Sequence, residues 1–91
     1  MATASSDEEI LDATRALARR EGIFAEPTGA VSLAALNHLR HNPNFSPEQL
    51  VVCLVTGNGL KQVRTFEASM ELPAAIEPNL SSLSHLLGDQ L

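Results

Sequence analysis

Along the first twenty residues the apolar positions Ile10, Ala13, Leu17 and Ala18 return with the spacing of one helical face. Ser6 and Glu9 stand in S-x-x-E order ahead of most of them, the spacing of a capping box, with acidic Asp7 and Glu8 at the end of a helix dipole that favours them. Arg19 and Arg20 fall in the last turn, and Gly22 sits where a left-handed residue closes a helix. The pattern predicts a helix over 7–21. In the next segment, AEPTGAVSLAALNHLRHNP, Pro27 suits a first helical turn, Val31, Ala34, Ala35 and Leu39 make one face, and Leu33 and Leu36 widen it. A second helix is expected over 28–41, ended by Pro43. Its small residues, Gly29 and Ala30 and then Ala34 and Ala35, imply that another backbone approaches closely.

The pattern then changes. Ser46-Pro47-Glu48-Gln49 reads as a compact turn with S-x-x-Q capping chemistry, and it leads into Leu50 to Thr56, which is continuously apolar rather than alternating. A buried helix would give such a run, but its length and the closing Gly57-Asn58-Gly59 favour a strand buried on both faces, the form found in parallel sheets. Beyond Lys61, residues 63–66 fit either a helical turn or a short extended piece. Residues 74–77 read as extended, and a terminal helix is expected from Asn79, with Leu80, Leu83, Leu86 and Leu87 on its apolar face and Gly88 as its stop. A strand buried on both faces must pair its amides and carbonyls with neighbours, and only residues 2–5 and 74–77 are extended candidates. The expected fold class is therefore α/β and helix-rich: helices packed on a single central buried strand at 50–56 that needs a partner, residues 1–91 forming one partial domain.

Composition narrows the function. A chain of 91 residues buries only about 60 to 65% of its unfolded surface, so its stability margin is thin. Phe24, Phe45 and Phe66 are the only aromatic residues, leaving the core to Leu, Ile, Val and Ala. A net charge of −5, with scattered arginines and Lys61 as the only lysine, argues against nucleic acid as a partner. No apolar run approaches membrane-spanning length and the acidic start is unlike a signal peptide, so a cytosolic (cytoplasmic) chain without membrane partners is expected. Cys53, the single cysteine, reads as a small buried hydrophobe. His38 and His41 are spaced to offer two imidazoles, but no third ligand is placed, so they and His85 read as solvated helix residues and no metal is expected. Serine, histidine and aspartate are present without a G-x-S-x-G elbow, and hydrolase chemistry has no positive support.

The stretch VVCLVTGNGLK, residues 51–61, has the form of a strand followed by a ligand loop, since glycines let backbone amides converge on an anion or a ring pack close to the chain. It fits neither the Walker nor the dinucleotide pattern. Taken together, GIFAEPTGAVSLAAL (residues 22–36) and VVCLVTGNGLK resemble the C-terminal part of threonine synthase, a pyridoxal-phosphate enzyme of the tryptophan-synthase β fold type (fold-type II), along nearly the whole chain. The resemblance implies a parent reaction in which O-phosphohomoserine and water give threonine and phosphate. It implies that Thr56 lies near the pyridine nitrogen of pyridoxal phosphate, that Gly57 and Gly59 shape the loop, and that Glu26 lies near the cofactor face at a helix start. A carboxylate at Glu26 that simply favours the helix dipole is the other reading.

Departures from the family pattern matter as much. Such an enzyme holds its cofactor on a lysine as a Schiff base, whereas Lys61 matches the family's lysine just after the loop, and the glycine-rich phosphate cradle is absent. The chain is therefore expected to be a threonine-synthase-like segment that does not catalyse alone and binds no cofactor by itself. Its expected partner is the remainder of such an enzyme or a second copy in a homodimer or higher oligomer. A non-enzymatic oligomerising interaction protein is the alternative, and a binder of small phosphorylated metabolites through residues 56–59 is a third.

Overall fold

A computed structural model of the chain describes residues 2–88. Helix α1 (Asp7–Glu21) has the predicted ends. The Ser6 hydroxyl accepts from the Glu9 amide at 3.3 Å while a Glu9 carboxylate oxygen accepts from the Ser6 amide at 2.7 Å, which completes the capping box. Gly22 closes the helix at φ +69°, donating its amide to the Ala18 carbonyl. The Ser6 amide, then the Ser6 hydroxyl, hold the Glu9 carboxyl below the ordinary glutamate range, with His38 of the neighbouring helix a lesser contributor. A carboxyl depressed in the folded state contributes stability above its unfolded value and loses it as pH falls through the folded one. Helicity followed by circular dichroism should accordingly be flat above about pH 5 and decline as pH falls below the ordinary glutamate range, less steeply in Glu9→Gln.

The second helix enters through a 3-10 turn, Pro27–Ala30, and continues as α2 (Val31–Leu39). It stops short of the expected residue 41. The His41 and Asn42 amides donate to the His38 and Leu39 carbonyls at 3.2 and 2.9 Å, tightening the chain into a turn ahead of Pro43, whose ring disfavours helical geometry in the preceding residue. Helices α1 and α2 pack together on small residues: Ala13, Thr14, Ala30 and Ala34 are all at most 5% exposed. The buried Thr14 hydroxyl is satisfied by the Ile10 carbonyl at 2.9 Å. Across the pair, His38 Nε2 lies 3.1 Å from a Glu9 carboxylate oxygen.

The central strand is not formed. Residues 50–56 carry no regular secondary structure: among the described residues they enter no ladder, and Leu50, Val52 and Leu54 are 92, 76 and 75% exposed. The other extended candidates, 2–5 and 74–77, also carry no strand. A strand exists only through a partner backbone, and among the described residues no backbone pairs with this segment; a hydrogen bond from the Ser32 hydroxyl to the Leu54 carbonyl, 3.3 Å, ties it to α2. Cys53 is correspondingly half-buried rather than buried. Residues 46–49 form the expected turn, closed by the Gln49 amide on the Ser46 carbonyl at 3.0 Å and the Ser46 amide on the Gln49 side chain at 3.3 Å.

After the loop, a second 3-10 turn (Gly59–Gln62) runs into the short helix α3 (Val63–Glu67), so residues 63–66 take the helical of the two forms open to them. Phe66 of α3 is 5% exposed and meets Phe24 edge to face, ring centroids 5.1 Å apart. Helix α4 (Leu80–Leu87) is capped by Asn79, whose side chain accepts from the Ser82 amide at 2.8 Å, and is followed by Gly88 as expected, yet it buries no residue. The resulting molecule is open. Its radius of gyration is 17.4 Å, against about 12 Å for a compact chain of this length, and its accessible surface is 7350 Å², against roughly 5,100 Å². Among the described residues no helix is long and apolar enough to cross a membrane.

Candidate functional site

Two runs far apart in sequence meet beside the α1–α2 pair. Residues 24–26 and 57–59 lie antiparallel, bridged between Ala25 and Asn58, with the Gly59 amide donating to the Phe24 carbonyl at 2.8 Å and the Glu26 amide to the Gly57 carbonyl at 3.3 Å. All four residues singled out in the sequence, Glu26, Thr56, Gly57 and Gly59, are thereby brought to one place. Glycine is required at this junction for steric reasons. A Cβ on Gly29, in the first 3-10 turn, would run into the Thr56 backbone carbonyl; one on Gly59 would come within 2.6 Å of the Phe24 ring; one on Gly57 would strike the Glu26 carboxylate. The close backbone approach implied by the small residues is this contact of Gly29 with Thr56.

Glu26 flanks the start of the 3-10 turn, but its side chain makes no capping hydrogen bond and instead lies against Gly57. Thr56 is exposed, and its hydroxyl makes no hydrogen bond among the described residues. Three loop amides that could have converged on an anion are engaged internally: Gly59 with the Phe24 carbonyl, Leu60 with the Asn58 side chain at 2.9 Å, and Lys61 with the Asn58 carbonyl at 3.1 Å. With a carboxylate beside them, they offer a phosphate little. Lys61 itself is exposed, lining a separate hollow with Arg64 and Thr65. No group of three metal-ligating side chains is brought together among the described residues.

Gly57 takes φ +82°, the left-handed region. Gly57→Ala should cost about 1–2 kcal/mol in urea unfolding, since the backbone strain remains even if the flexible Glu26 side chain swings away. Sequence reasoning did not find Asn58, Ser32 or Phe24. The N-G-L signal for an Asn side chain bonding the backbone two residues on was legible for Asn58; the other two act through long-range contacts.

A family profile described as pyridoxal-phosphate dependent enzyme matches residues 2–57, and the chain belongs to that family. Within it, the chain is similar to threonine synthases. It is 40% identical to that of Methanocaldococcus jannaschii over 86 residues, which cover 94% of this chain and 21% of the relative. It is 39% identical to that of Halalkalibacterium halodurans over 91% of this chain and 24% of the relative, and 43% identical to that of Mycobacterium bovis over 82% and 21%. The chain thus spans about a fifth to a quarter of the length of the curated relatives it matches. The family match takes in the N-terminal part of the chain and stops at Gly57. These likenesses support a threonine-synthase-like segment; the narrower expectation, a C-terminal segment, is not supported by them.

Proposed function

We propose that residues 1–91 are a partial domain that supplies one wall of a pyridoxal-phosphate pocket, within a threonine-synthase-like assembly acting on O-phosphohomoserine. The observation that carries this reading is the convergence of Glu26, Thr56, Gly57 and Gly59 at one bridge, with the Thr56 hydroxyl exposed and unengaged. These residues fit one edge of the cofactor ring. When bound, the cofactor supplies an electron sink, and a hydroxyl rather than a carboxylate at its ring nitrogen moderates that sink. Thr56 would hold that edge, the glycines keep the backbone close, and Glu26 stands at the rim. Lys61, the only lysine, is not one of these residues and lines a hollow with Arg64 and Thr65 that includes none of them, so the chain is assigned no covalent attachment of the cofactor and no turnover by itself.

The exposed Leu50–Thr56 segment and the excess surface support a role in which another polypeptide covers the segment. Val52→Asp discriminates. In the isolated chain Val52 is largely exposed, and the substitution should change stability by no more than about 0.5 kcal/mol, in contrast to the loss of folding that a central strand would entail. Mixed with a threonine synthase lacking the matching segment, the unsubstituted chain should restore phosphate release from O-phosphohomoserine, and V52D should not. Turnover by the isolated chain with pyridoxal phosphate would sink the non-catalytic reading. Failure to complement, together with concentration-dependent dimers in sedimentation that V52D abolishes, would instead favour the oligomerising interaction protein.

A further inference from the structure

A second hollow, distinct from the Thr56 wall, opens between α1 and the stretch that follows α3. It has a volume of about 550 Å³, within the range that takes small organic ligands. Its apolar lining includes Phe24, Phe66 and Ala18, and its polar lining includes Arg19 and Glu71. Arg15 also contributes, but it is held in place by Asp12 at 3.0 Å and by the Ser69 hydroxyl at 2.7 Å. Arg19 and Glu71, in contrast, make no hydrogen bond or ion pair among the described residues. Among the described residues, one cation and one anion without an ion-pair partner therefore border the same apolar hollow.

We infer that this hollow binds a free α-amino acid with an apolar side chain. Arg19 takes the carboxylate, assisted by the guanidinium N–H groups of Arg15 that Asp12 and Ser69 leave over; Glu71 takes the ammonium; Phe24, Phe66 and Ala18 receive the side chain. The charge pattern excludes a simple fatty acid, which Glu71 would repel, and a simple amine, which the arginines would repel. The hollow is also coupled to the loop, because Phe24 both lines it and bears on Gly59 through its ring and its carbonyl.

The test is titration of the isolated chain with L-leucine, N-acetyl-L-leucine and L-leucinamide, followed by amide chemical shifts. Leucine should saturate shifts in α1 and at Gly59, and each analogue, lacking one charge, should bind roughly tenfold more weakly, the scale of one charge-assisted hydrogen bond. Arg19→Gln should weaken leucine but leave leucinamide unchanged, and Glu71→Gln should weaken leucine but leave N-acetyl-leucine unchanged. Both substitutions are at exposed residues, so a thermal melt will show that folding is retained. Equal binding of all three compounds, or no saturable shift with leucine, would overturn the inference and leave the hollow a nonspecific apolar surface.

Discussion

Gly29→Ala should remove most of the stability of the isolated chain. The added Cβ would enter the Thr56 carbonyl, with the Thr56 carbonyl carbon and amide nitrogen at 3.0 and 3.1 Å. These neighbours are backbone, so no rotamer change relieves the overlap. Either the 3-10 turn, with the Gly29 amide that donates to the Glu26 carbonyl at 2.9 Å, or the segment ending at Thr56 has to move. Overpacking of this kind costs about 3 kcal/mol. A core of this size supplies roughly 3–5 kcal/mol in total. Urea unfolding should show the midpoint falling to the start of the accessible range; an unchanged midpoint would mean that the Gly29–Thr56 contact is not made in solution.

Phe66→Ala should be comparably damaging for the opposite reason. Among the described residues, Phe66 is the one large side chain of the buried apolar set, the rest being alanines. Truncation forfeits its transfer energy and leaves a void against Phe24, together about 3–4 kcal/mol. The loss should also reach the loop, since the Phe24 ring stands against Gly59. Calorimetry gives the first effect, and faster hydrogen exchange at the Gly59 amide the second. A destabilised protein with unaltered Gly59 exchange would show that the ring pair does not support the loop.

What the sequence disclosed was local. The S-x-x-E box at Ser6 and Gly22 as a helix stop each act within a few residues and are found where the pattern puts them, and the terminal helix starts next to Asn79 as expected. The Leu50–Thr56 run misled because burial is not a property of a segment. An apolar run becomes a core strand only beside another strand, and among the described residues this one has none and stays largely solvated. The site was legible in its parts. The small residues at 29–30 announced a close backbone approach, but nothing within either run named Thr56 as the partner; the resemblance to threonine synthase grouped Glu26 with the glycine loop, and the bridge accounts for that grouping physically. The direction of the Glu26 side chain, onto Gly57 rather than into a helix cap, could not be read from either run alone, because it depends on a contact that closes a long loop.

That loop has a consequence for how the chain folds. Ala25 and Asn58 are 33 positions apart (58 − 25), whereas α1 and α2 close over a short connection. Bringing distant residues together must be accomplished before any bond rewards it, so local helix pairing has the head start. The two-helix pair should therefore assemble first and the bridge last. In pulse-labelled refolding, amides of α1 should become protected ahead of Gly59, which makes the last part of the chain to order itself the part that carries Thr56.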